Sequence, residues 1–375
     1  KYARNLVPSY GHPTSDLAFT AGLNGTLYEA AIPTGRLAAV DSEAVLDYLN
    51  KVVEFESAER AEWMKNVLHF GGGGNQFEQS LFRGYLENYE NIVEDVCFGG
   101  DVFSFYKSST DPIQISVSDS IQLLIEEGVS LMTFFGHASS TGFDVNIDSP
   151  ATYDNQGKYP LLIGNSCYTG NIHLSQGLST SEEFVLAPNA GVIGFIAKGD
   201  LGLPSYLNTW TSSFYDQVFR TNYGKSLGQC MVGAVQAFQG NFQNLYSENA
   251  ALTFALHGDP SIVLNSWPKP DLVVGPEDIS FVPENLNSAL DNFEVHVNIT
   301  NIGKLIESGF GLELVRHFPD GSDTSIFIDI EQMAFQNEVV FNLPLEPLRG
   351  LGVNTFDVYV DYPSIQVDEM ENATN

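Results

Sequence analysis

The chain is short of cysteine and short of positive charge. Only Cys97, Cys167 and Cys230 occur in 375 residues. Three thiols exclude a disulfide framework, and an odd count leaves at least one thiol free in an oxidising compartment. Sixteen Lys and Arg stand against 47 Asp and Glu, a net charge of −31. Such a surface repels nucleic acid and anionic lipid, so neither is expected as a partner. It suits solvation in an extracellular or saline setting. No run of about 18 apolar residues appears, so no transmembrane segment is expected. No Cys or His pair has zinc-ligand spacing. The glycine run 71–74 is not followed by Gly-Lys-Ser/Thr, which excludes a phosphate loop. No short-period repeat is found. The chain starts at Lys1, without Met or a signal peptide, as a mature or excised form would.

What is present is a folding sequence. The composition is 43% hydrophobic and 12% aromatic, enough for a large core and against general disorder. Through residue 266, helical and strand-like segments alternate. Residues 41–63 read as a helix capped by Ser42, with Val45, Leu46, Leu49, Val52 and Val53 at spacings of three and four. MKNVLHF (64–70), DVFSFYK (101–107), VSLMTFF (129–135), LLIGN (161–165) and GVIGFIA (191–197) read as strands. Helices are expected over 76–95, 116–128, 204–222 and 226–240. Continuous apolar strands separated by helices imply a mostly parallel sheet covered on both faces. Such sheets hold ligands at the carboxyl ends of their strands. After the proline-rich linker near 256–270, helices vanish. Seven short alternating strands, with turns such as PDGS (319–322), imply an immunoglobulin-like sandwich. The expected domains are therefore 1–266, α/β, and 267–375, a β-sandwich with a C-terminal tail.

Two strand ends carry reactive side chains. VSLMTFF runs into GHASSTGFD and LLIGN into SCYTGNIH, so His137 and Cys167 each stand just past a strand. If the two strands are neighbours, thiol and imidazole share one rim. The imidazole can then draw the thiol proton and later return a proton to a leaving amine. Cys97 and Cys230 lie in apolar surroundings and read as core. His173 reads as a loop residue, and His257 as a support for the end of the sheet. Asp144, Asp148 and Asp154 form an oxygen-rich stretch that would suit calcium.

FFGHASSTGFD followed by LLIGNSCYTGN resembles the catalytic core of the gingipain-like cysteine peptidases, in the caspase-like group. Within that family the resemblance extends to PorU-like sortases of the type IX secretion system. IPTGRLAAVDSEAVLDYLNKVVEFE (32–56), GVIGFIAKGD (191–200) and LHGDPSIVL (256–264) are similar to other family segments. The resemblance implies a caspase-like domain followed by an immunoglobulin-like one. It implies Cys167 as nucleophile, His137 as base, and an oxyanion hole from the N–H groups of Cys167 and Ala138. Ala138 stands where the family usually has glycine. Where an acid orienting the histidine is expected, HFGGGGNQFEQ (69–79) has glycines. Glu78 is the nearby candidate, unless the helix that follows claims it. No cofactor is required, and calcium would be structural. Substrates would be proteins or peptides, cleaved or transferred to an amine at a secreted or bacterial cell-surface location. An outer-membrane secretion component would be the partner. The alternative is a degenerate member that only binds, and a sugar-binding or scaffold role for the sandwich is weaker still.

Overall fold

The computed structural model describes residues 7–11, 14–23, 29–95, 97–109, 118–147, 149–174, 177–241, 244–287, 289–363 and 366–370. The chain forms two compact units, one of residues 1–94 with 100–265, the other of 95–99 with 266–375.

Among the described residues of the first unit, seven strands form one sheet. In chain order its elements begin with β1 (Gly35–Arg36), α1 (Ser42–Glu56), β2 (Asn66–Gly71), α2 (Gln76–Val93), β3 (Asp101–Tyr106), α3 (Ser118–Glu127) and β4 (Leu131–Phe135). A small hairpin, β5 (Ala138–Ser139) and β6 (Gly142–Phe143), follows. Then come β7 (Leu161–Asn165), α4 (Thr180–Leu186), β8 (Gly194–Lys198), α5 (Pro204–Asp216), α6 (Leu227–Asn241), α7 (Leu245–Thr253) and β9 (Phe254–Gly258). The sheet order is β1-β9-β8-β7-β4-β2-β3. The five strands from β8 to β3 are mutually parallel; β9 and β1 run the other way.

β4, β7 and β8 are buried along their whole length, which is why their sequences are predominantly apolar. His69, Thr133, Ile163 and Ile196 are in register on one face. There Tyr215 of α5 bonds His69 Nε2 (3.0 Å) and Thr133 Oγ1 (2.6 Å). Phe195, one residue off that register, meets Phe184 of α4 on the opposite face. Helices thus cover both faces. β2 sends the chain first to β3 and then back across to β4. Loops leaving neighbouring strands in opposite directions open a crevice, here at the carboxyl ends of β2 and β4.

Some expectations need correcting. The first helix ends at Glu56 and its N-cap is Asp41, whose side chain accepts the Ala44 N–H, rather than Ser42. Val45, Leu46, Leu49 and Val53 face solvent; the buried face is Tyr48, Lys51, Val52 and Phe55. α4 and α7 were not foreseen.

The second unit holds the seven strands read from the sequence: β10 (Leu272–Val273), β11 (Ile279–Val282), β12 (Asn292–Asn301), β13 (Phe310–His317), β14 (Asp323–Ile330), β15 (Gln336–Pro344) and β16 (Thr355–Val360). β12 pairs with β10, β11 and β15, and β13 with β14 and β16, all antiparallel. Val295, Val297 and Ile299 of β12 pack with Leu312 and Leu314 of β13 in one core.

Candidate active site

β4 and β7 are adjacent, with Phe135 opposite Asn165. Gly136 N–H donates to Asn165 O at 3.2 Å, carrying the pairing one residue further. His137 and Cys167 each follow two residues past their strand and emerge on the same rim, from strands about 4.8 Å apart.

Cys167 sits at a sharp elbow. Tyr168 after it has φ +61°, a left-handed conformation that a bulky residue adopts at a cost of about 1–3 kcal/mol. Neighbouring bonds hold the strain: Tyr168 N–H to Asp200 O (3.2 Å) and Gly170 N–H to Lys198 O (3.0 Å). The half-buried thiol is tied to the β8–α5 loop. Its Sγ accepts Gly202 N–H at 3.4 Å and lies 4.0 Å from Gly202 O. No hydrogen bond joins the sulfur to the imidazole; such bonds often tighten only with substrate.

His137 has an exposed ring whose Nε2 lies 2.9 Å from Glu78 Oε2. Glu78 does lie on a helix, and the helix delivers it. Asn75 caps α2 by accepting Glu78 N–H (3.0 Å), which fixes the first turn. The same Oε2 accepts Gly74 N–H (2.8 Å). One turn on, Phe82 meets the imidazole edge-on at 6.2 Å. The pair spans the crevice between β2 and β4. The bond from His137 draws the Glu78 carboxyl below its ordinary pKa. An ionised carboxylate can only accept, so Nε2 carries the proton, and in the neutral ring Nδ1 then keeps its lone pair.

Asp144 is not a surface ligand. It is buried, with Oδ2 3.3 Å from Lys107 Nζ and accepting Gly73 N–H at 2.9 Å. Its own N–H donates to His137 O (2.9 Å). The glycine run makes room for it: a Cβ on Gly72 would stand 2.0 Å from Asp144 Oδ1, and one on Gly136 2.7 Å. Asp154 is exposed, and Asp148 lies outside the described residues. Among the described residues no three His, Cys, Asp or Glu side chains gather as a metal would require. Ala138 is a strand residue of β5, a backbone that alanine adopts freely.

Sequence reasoning missed three supports. Thr180 and Ser181, opening α4, donate backbone N–H to Ser140 O (2.9 Å) and Thr169 O (3.1 Å), one in each reactive loop. Lys198 ends β8 with its Nζ on Asn249 Oδ1 (3.0 Å) and on Thr253 Oγ1. Burial lowers its pKa to about 8, against the opposing pull of Asp200 and Cys167. Gly202 contributes only backbone and left no sequence signal; a lysine closing an apolar strand was the legible one. Elsewhere, Arg36 binds the buried Asp16 beside β1. His257 is buried on β9, and burial pushes the Cys230 thiol up to about 12. Cys97 is half-buried and belongs to the second unit rather than the α/β core.

The sequence profile of Peptidase family C25 matches residues 1–265. The chain belongs to peptidase family C25. It is thereby a gingipain-like cysteine peptidase by family. Its fold is similar to the crystal structure of gingipain R (RgpB), an Arg-specific cysteine proteinase, with TM-score 0.58 and 13% identity over 90% of this chain and 81% of that one. The complex of Porphyromonas gingivalis RgpB pro- and mature domains gives TM-score 0.58 and 12% identity, covering 90% and 82%. A structure described only as a protease gives 0.54 and 14%, covering 92% and 78%. At these identities the likeness concerns the fold. No curated protein matches the chain. Among the described residues, no helix of this C25 chain is long and apolar enough to cross a membrane.

Proposed function

We propose that the chain cleaves peptide bonds through Cys167 and His137, with Glu78 orienting the histidine. The observation carrying this is the Glu78–His137 contact across the crevice, on the rim where the Cys167 elbow projects. His137 Nδ1 takes the thiol proton, and the thiolate attacks the carbonyl carbon. Cys167 N–H lies between two bonded neighbours, Ser166 N–H on Gly164 O and Tyr168 N–H on Asp200 O. It and Ala138 N–H would receive the oxyanion. The intermediate collapses, the C–N bond breaks, and the imidazolium protonates the departing amine. A thioester remains on Cys167, resolved by water or by a second amine.

Transfer to an amine is the finer reading, as in the PorU-like sortases of the type IX secretion system. The acidic surface suits an extracellular or cell-surface protein, and an outer-membrane partner is what the resemblance to those sortases implies. A rival reading, a retired peptidase that only binds, draws on the sulfur's bond to Gly202 in place of the imidazole. The deciding measurement is the alkylation rate of Cys167 against pH, by mass spectrometry, in wild type and His137→Ala. Fast reaction at about pH 6 that slows in the variant supports the dyad. Reaction rising only near the ordinary thiol pKa of about 8.5, and equal in both proteins, sinks it.

A further inference from the structure

Cys167 is tied to the β8–α5 loop through Gly202 N–H, at 3.4 Å from Sγ. The residues on either side of Gly202 are Leu201 and Leu203, 60% and 47% exposed. Two exposed leucines thus flank the residue that holds the sulfur. The apolar surface continues. Leu203 caps α5, and Tyr206 N–H donates to Leu203 O (3.0 Å), placing Tyr206 one turn further on. Tyr206 lies 5.9 Å, ring to ring, from the exposed Tyr246 of α7, beside the exposed Leu245.

The acid of this loop is engaged elsewhere. Asp200 Oδ2 accepts Asn249 Nδ2 (3.2 Å), and Asn249 Oδ1 in turn accepts from Lys198. A basic substrate side chain arriving here would meet two leucines and a carboxylate already bonded within the protein. An apolar one would cover leucine surface that otherwise faces water.

Resting on Cys167 as the nucleophile, we propose that this enzyme takes peptides with an apolar residue on the acyl side of the cleaved bond. That side chain packs on Leu201 and Leu203. In the thioester the acyl carbon is bonded to Sγ, which brings the side chain next to it within reach of the loop that touches Sγ. The rival is a basic residue, drawn in by the protein's overall negative charge.

The test uses the full chain and two peptidyl acyloxymethyl ketones that differ only in the residue beside the ketone, leucine or arginine. The thiolate displaces the carboxylate leaving group and forms a thioether at Cys167, read by mass. Iodoacetamide, run in parallel, normalises for thiol reactivity. The leucine probe should label at least about tenfold faster than the arginine probe. In the Leu201→Asp/Leu203→Asp double variant, that ratio should fall to about one or invert. Both positions are exposed, so the substitutions bury no charge. An arginine probe that labels as fast or faster overturns the proposal. So does a ratio unchanged in the variant, or a thiol that iodoacetamide alkylates quickly and neither probe reaches. These three results leave the nucleophile standing. Slow iodoacetamide reaction at neutral pH, by contrast, removes the nucleophile and this proposal with it.

Discussion

Two carboxylates near the site have opposite tasks because their surroundings differ. Glu78 is partly exposed and meets the imidazole that takes up a proton during the proposed reaction. Glu78→Gln should keep a hydrogen-bond acceptor for Nε2–H but lose the charge that favours the imidazolium. We expect kcat to fall about tenfold or more with KM little changed, measured by steady-state kinetics. The Glu78 carboxyl is held below 4.5, so its contact with His137 is present above that pH and is lost as pH falls through the lowered value. Asp144 is buried and meets a permanent charge. It joins the loop after β2, the end of β3 and the β5–β6 hairpin behind His137. Asp144→Ala would strip the buried Lys107 ammonium of its carboxylate, and we expect a loss of about 3 kcal/mol in denaturant unfolding. The Asp144 role is not visible in the sequence, whereas Glu78 stands there as the candidate acid. A run of four glycines reads as a missing acid until the space they leave is seen to hold Asp144.

At the scale of elements, α1 shows how hydrogen bonds can outvote an apolar stripe. Tyr48 OH donates to Ile193 O (2.8 Å) and accepts Asp259 N–H (2.7 Å). Lys51 Nζ bonds the carbonyls of Val185, Ala187 and Ala190 around the end of α4, and burial lowers its pKa to about 7. These bonds fix the helix with Val45, Leu46, Leu49 and Val53 outward. Leu46→Gln and Leu49→Gln should each change stability by no more than about 0.5 kcal/mol. Tyr48→Phe should cost about 1–3 kcal/mol, because it strands a carbonyl and an N–H. Thermal unfolding of the three variants checks the contrast, and the reverse ranking would restore the periodicity reading. In the sandwich, His296 lies between Glu338 and Glu294, and His317 between Asp357 and Asp323. Hydrogen bonds to Glu338 and Asp357 lead in raising their pKa values above 6.5. A raised folded pKa contributes stability that is fully present below 6.5 and lost as pH rises through the raised value. The Tm deficit of His296→Gln/His317→Gln should therefore be larger at about pH 5.5 than at about pH 8.5.

For the whole molecule, a net charge of −31 sets a self-repulsion that no single pair relieves. The Debye length shortens from about 30 Å at 0.01 M salt to about 10 Å at 0.1 M, so Tm should rise over that range. A flat or falling Tm would mean that local ion pairs, not the global field, dominate. The sequence by itself determined the two kinds of domain. Mostly apolar strands between helices are buried on both faces, whereas alternating strands such as β14 and β15 bury one. It also placed His137 and Cys167 at strand ends, because an apolar run that stops at a glycine or a polar residue marks a rim. Tertiary structure alone decided what surrounds them. Neighbouring strand order, the crevice between β2 and β4, the reach of Glu78 from the first turn of α2, and the leucines beside Sγ all depend on contacts between segments 30 to 64 residues apart. Local pattern records which face of an element is apolar. It does not record which hydrogen bonds will choose the other face.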